Sequence, residues 1–138
     1  MDDGRDRSKG KVWVDVNRRP EEVETRRELV ASEHDDVRPF VVTVLTLEHL
    51  VAEKARALLV RSKLRDLYDL WLLLRRGVRP DPALIERKLA LYGVAWNPGA
   101  LAETVERVRT DWERDLRPLL PQFVPYEDVR DGVVTLLK

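Results

Sequence analysis

The feature that most constrains this chain is a stretch in which charges sit where apolar residues belong. Leu47–Arg76, LEHLVAEKARALLVRSKLRDLYDLWLLLRR, reads as two helices joined by a short turn. At about 100° per residue, Leu47, Leu50, Val51 and Leu58 form one apolar stripe, with Lys54 near its centre. A lysine in mid-stripe must snorkel to water, pair with an acid or face a ligand. In the second half, Leu67, Tyr68, Leu70, Trp71, Leu72, Leu73 and Leu74 cover most of the circumference, so that helix is buried on several sides. Asp66 and Asp69 nevertheless lie three apart on one side of it. A lysine and two aspartates set into two apolar helices are the first functional candidates.

Size and composition bound the alternatives. A chain of 138 residues makes one ordinary domain, long enough to bury a core. Lys plus Arg equals Asp plus Glu at 25 each, so global charge favours neither nucleic acid nor membrane. There is no cysteine, which excludes disulfides and thiolate metal sites. His34 and His49 stand isolated, which disfavours zinc. No apolar run approaches the roughly 20 residues of a membrane span, and the N-terminus is not a signal peptide. The expectation is a cytoplasmic, mostly helical protein without membrane contact.

Taken in order, residues 1–10 are charged and small and predict a flexible tail. Lys11–Asn17, KVWVDVN, alternates and is rich in β-branched residues, which predicts a strand carrying Asp15 on the face opposite Val12, Val14 and Val16. Glu21–Val30 reads as a helix with a thin apolar face, and Ser32–Arg38 as a loop. Phe40–Leu45, FVVTVL, predicts a second strand. Thr46 and Ser62 are suited to cap the two central helices. Gly77 closes the second, and Asp81-Pro82 and Asn97-Pro98 begin the next two. The stripe Leu101, Val105, Val108, Trp112 and Leu116 predicts one long helix. Tyr126–Leu137 predicts a last one with Tyr126, Val129, Val133 and Leu136 inward. The expected fold is α+β, mostly α: two N-terminal strands in a segment spanning 11–45, then a bundle of about five helices over 46–138. Two strands do not make a stable sheet by themselves, so the hairpin lies on the helices or something outside the chain completes it.

The same stretch is similar to a known signature. Glu53, Lys54, Ala57, Leu58, Arg61, Arg65, Asp66, Tyr68, Asp69 and Leu70 resemble the "Glu-Lys-x-x-Ala-Leu … Arg-Asp-x-Tyr-Asp-Leu" pattern of the AbiEii/AbiGii-type toxins. Those are nucleotidyltransferase-like proteins of abortive infection, phage defence and type IV toxin–antitoxin systems. The resemblance is densest over residues 41–75 and extends from Lys11 to the C-terminus. It implies that the two strands are a remnant of a polymerase-β-like nucleotidyltransferase sheet. It implies a metal-dependent transfer of a nucleotide from an NTP to an RNA or protein acceptor, with Mg2+ and NTP bound in the intact fold and a cognate antitoxin as partner. On the family's pattern Lys54, Asp66 and Asp69 are catalytic, Lys54 and Arg61 contact the nucleotide, and Asp15 stands where the third metal carboxylate would be.

Each role has a plain structural counterpart. Asp15 can be a polar residue on an exposed edge, and Lys54 can be ion-paired with Asp66 or Asp69. Asp66 is also stabilising in a first helical turn, and Asp69 can pair with Arg65. Arg61 can reach a phosphate or simply end its helix in water, and Glu53 is expected at the surface. Trp71, Trp112, Tyr68 and Tyr92 fall at core spacing. The family's Gly-Ser followed by Asp-x-Asp is absent from the sequence. The expectation is therefore the C-terminal portion of such an enzyme, truncated or split, inactive alone and holding no magnesium–nucleotide pair tightly. The alternatives are a non-catalytic module pairing through an open sheet edge, with itself or with a separate N-terminal half, and a remnant without function.

Overall fold

The computed structural model describes residues 10–21 and 23–137. The tail expected over residues 1–10 thus lies outside them except for Gly10. Two strands are followed by helices: β1 Thr25–Val30, β2 Phe40–Leu45, α1 Leu47–Arg61, α2 Leu64–Arg75, α3 Pro82–Ala90, α4 Pro98–Arg107, α5 Trp112–Leu116 and α6 Tyr126–Leu136. The class is α+β and mostly α, as expected. The strands are antiparallel, registered from Thr25 opposite Leu45 to Val30 opposite Phe40.

Which segment supplies the first strand differs from expectation. Lys11–Asn17 forms no strand, and Trp13 is 88% exposed. Glu21–Val30 forms no helix; its second half is β1. Alternation marks a strand only when a partner lies alongside, and β2 pairs with TRRELV through the short loop at Ser32–Arg38. The thin apolar face of Thr25–Val30 then becomes an exposed ribbon surface instead of a buried helix face.

The core is helical throughout. Among the described residues, its buried members run from Val51 to Leu137, and none comes from the hairpin. α1 packs on α2 and α3, and α2 packs on α6. Trp112 anchors the C-terminal part: it is buried, its Nε1 donates to the Val124 carbonyl at 2.9 Å, and Tyr126 meets it edge-on at 5.9 Å. Burying side chains of this size stabilises the fold by about 1.5–3 kcal/mol each.

Local chemistry sets the helix ends. The Thr46 hydroxyl accepts from the His49 amide at 3.4 Å, and the Thr46 amide donates to the Glu24 carbonyl at 3.0 Å, tying hairpin to helix. Asp81 and Asn97 cap α3 and α4 as the sequence suggests. Ser62 does not cap α2. It ends α1 in the left-handed region at φ 50°, its amide donating to Leu58. The N-cap position of α2 is Lys63, which makes no side-chain cap. Residues 98–116, expected as one helix, are α4, a 3-10 turn at Arg109–Asp111 and α5. The stripe survives the break, since Leu101, Val105, Val108, Trp112 and Leu116 are all buried. In α6 the inward residue at the end is Leu137; Leu136 is half exposed.

Candidate functional site

The helix pair brings its charges together because of the reversal at Ser62–Lys63. Lys54 and Arg61 lie seven residues apart on α1, two turns along one face. Asp66 and Asp69 lie on one face of α2. With the chain turned back on itself, the faces meet. Lys54 Nζ donates to Asp69 Oδ2 at 2.6 Å and stands 3.6 Å from Asp66 Oδ1. Arg61 grips Asp66 with two parallel bonds, Nε to Oδ2 at 2.7 Å and Nη2 to Oδ1 at 2.9 Å.

Burial sorts these groups. Asp66 is 2% exposed and is held by both cations, whereas the side chain of Asp69 is 43% exposed. Lys54 bridges the two acids, and Arg61 extends to the surface. The Asp66 carboxylate thus organises the cluster, and Lys54 and Asp69 form its accessible edge. Asp69 pairs with Lys54, not with Arg65. Arg61 does not simply end its helix in water: the Asp66 hydrogen bond raises its guanidinium further above the ordinary value.

A second buried cluster was missed in the sequence. Lys88 on α3 is 2% exposed, and its Nζ donates to Glu21 and to Glu53, each at 2.7 Å. Glu53, expected at the surface, is largely covered and also receives two bonds from Arg56. Burial alone would raise the Glu53 carboxyl; hydrogen bonding with Glu21, Lys88 and Arg56, and the Arg56 charge, bring it down to about 2. The Tyr92 ring, half-buried instead of in the core, meets both the Arg19 and the Arg56 guanidinium group, each 4.5 Å from its centroid. The signal was present: Lys88 follows Ile85 by three and Leu84 by four, a cation in an apolar stripe like Lys54. Glu21 carried no comparable mark.

The metal question turns on donors. Asp15 is exposed and lies in no strand or helix. Among the described residues no group of three His, Asp or Glu side chains is placed to hold a cation. The two aspartates of the helix pair are already engaged by Lys54 and Arg61. These residues do not fit a two-metal centre, which needs several free carboxylate oxygens around each ion.

Beside the cluster lies an open cleft of about 780 Å3 between the start of α2 and the α4–α5 region, with Arg61 and Asp66 in its wall.

Fold and site together define a mostly helical α+β protein with a lysine–aspartate cluster on a helix pair. The chain belongs to the AbiEii family of nucleotidyl transferase toxins of type IV toxin–antitoxin systems, whose sequence model matches residues 3–133. No curated protein and no solved structure matches it. Its role is accordingly that of a nucleotidyltransferase-like toxin-family protein. No helix among the described residues is long and apolar enough to cross a membrane.

Proposed function

We propose that the helix pair is one half of a nucleotidyl-transfer site and that the chain does not complete the reaction alone. Lys54 and Arg61 contact the phosphates of a nucleoside triphosphate, Asp69 holds the lysine, and Asp66 positions both cations. The observation that carries this reading is the Lys54 ammonium, partly accessible and held between two carboxylates at 2.6 and 3.6 Å. A donor so fixed can meet a phosphate oxygen with little reorganisation. The other half, with the metal carboxylates and the triphosphate loop, is supplied from outside the 138 residues, because Gly-Ser and Asp-x-Asp do not occur in them. A cognate antitoxin is the partner that restrains the completed site.

The test is transfer of labelled nucleotide from magnesium–NTP. The purified chain transfers none, whereas addition of a polypeptide bearing the missing motifs restores transfer, and Lys54→Met abolishes it again. Transfer by the chain alone overturns the incompleteness. Restored transfer that survives Lys54→Met overturns the site.

A second reading is favoured by one observation. Val12, Trp13, Val14 and Val16 are all more than three-quarters exposed, and among the described residues the sheet has two strands. Such a segment is suited to strand pairing with a separate N-terminal half or a second copy. Solution mass separates the cases, since a strict monomer that binds no added half counts against this reading.

A further inference from the structure

The cleft beside the helix pair contains chemistry that the Lys54 cluster does not use. Its wall carries Arg61, Lys63, Arg65, Arg107 and Arg114, together with Asp66, Asp111 and Asp115. All three acids are already committed. Asp66 is bound to Arg61, while Arg114 pairs with Asp111 at 2.9 Å and with Asp115 at 2.6 Å. The remaining cations are Lys63, Arg65 and Arg107. Among the described residues Lys63 and Arg107 have no ion-pair partner, and Arg107 donates only a long bond of 3.4 Å to the Thr104 hydroxyl. Arg65 acts on Asp115 at longer range, adding to the Arg114 hydrogen bond that lowers that carboxyl.

We infer that this cleft binds the sugar–phosphate backbone of a nucleic-acid strand through Lys63, Arg65 and Arg107. Its volume falls within the roughly 300–1,000 Å3 of ligand clefts. Its wall is mainly ionisable, with Leu64, Val108 and Pro118 as the apolar members, so it lacks the apolar centre of a protein-docking surface. It also has no aromatic side chain on which a base could stack. Cations without stacking rings recognise backbone and not sequence. Because Arg61 and Asp66 belong both to this wall and to the Lys54 cluster, a bound strand would run past that cluster, which places an acceptor end beside it.

The inference rests on the transferase reading and deepens it by assigning where an acceptor strand lies, and its test needs no catalysis. Fluorescence anisotropy of a short labelled oligouridylate titrated with the full chain is measured over a range of salt. With three phosphate contacts to a single strand, log affinity falls against log salt with a slope of about 2. The variant Lys63→Gln/Arg65→Gln/Arg107→Gln loses roughly tenfold or more in affinity, and the slope falls by about 0.7 per contact removed. The three positions are exposed, so the variant folds, which circular dichroism checks. The charge-matched variant Arg26→Gln/Arg27→Gln/Arg38→Gln, on and near the ribbon, keeps wild-type affinity. Unchanged affinity in the cleft variant, or an equal loss in the ribbon variant, overturns the inference. So does a lone nucleoside triphosphate, or an acidic peptide, that competes as well as the oligonucleotide. Retained RNA binding with no transfer in the completed system would strike the transferase reading alone.

Discussion

Asp66 shows how one buried carboxylate can decide the worth of every charge around it. It is almost wholly removed from water, a position tolerable only because Arg61 and Lys54 both reach it. Removing one partner of a buried pair typically costs 3–5 kcal/mol, while exposed pairs contribute about 0–1 kcal/mol. Lys54 remains beside Asp66 when Arg61 is lost, and the Arg61 side chain is itself 59% exposed, so Arg61→Ala should destabilise by about 2 kcal/mol. Asp69→Ala, at the exposed edge, should cost at most about 1 kcal/mol. Urea melts of the two variants make the comparison, and equal small effects would show that Asp66 is not the organising group. The asymmetry also separates roles: Asp69 can be exchanged to probe Lys54 chemistry without dismantling the cluster.

At the scale of elements, the helix pair depends on how closely α6 approaches α2. Gly132 of α6 faces Trp71, and a Cβ added there would lie 2.8 Å from Trp71 Cδ1 and 3.0 Å from Nε1. Both contacts fall on a largely buried indole ring, so one helix must shift for them to be relieved. Gly132→Ala gains about 1 kcal/mol of helix propensity but overpacks the contact by about 1–3 kcal/mol. The expected outcome is a lower melting temperature, read by thermal circular dichroism; a rise would mean that α6 stands further from α2. The turn at Ser62 matters in the same way. An L-residue in the left-handed region costs roughly 1–2 kcal/mol, and here it reverses α1 into α2 within two residues, which fixes which faces meet.

Over the whole molecule, the Lys88 cluster joins the N-terminal segment to the helices. Glu21 lies far in sequence from Lys88, and Arg19 on Tyr92 repeats the link. Its acid limb follows from Glu53, whose carboxyl is held at about 2 against an ordinary 4.5. A lowered carboxyl contributes stability that is complete above its unfolded value and lost as it becomes protonated in the folded state. Stability should therefore decline from about pH 4.5 towards pH 2. Glu53→Gln should be less stable at neutral pH and flatter through that window, as chemical denaturation at several pH values would record. Parallel curves for the two proteins would remove Glu53 from the acid transition.

The sequence by itself determined α1, α2, α3 and α6, the caps at Thr46, Asp81 and Asn97, most of the buried stripes, and Lys54, Asp66 and Asp69 as members of one cluster. These follow from local periodicity and from side chains acting within a turn of their own backbone. The family, too, was readable there, in the run from Glu53 to Leu70. Tertiary structure alone decided the rest. Whether KVWVDVN or TRRELV is a paired strand depends on which segment lies beside β2, not on alternation, which both tolerate. That Arg61 closes on Asp66, Asp69 on Lys54 and Glu21 on Lys88 depends on the reversal at Ser62 and on how α3 lies across α1. The cleft of Lys63, Arg65 and Arg107 arises only when the start of α2 meets the α4–α5 region, because its walls come from residues some 40 positions apart in the chain. Periodicity tells a residue which way to face; only packing supplies what it faces.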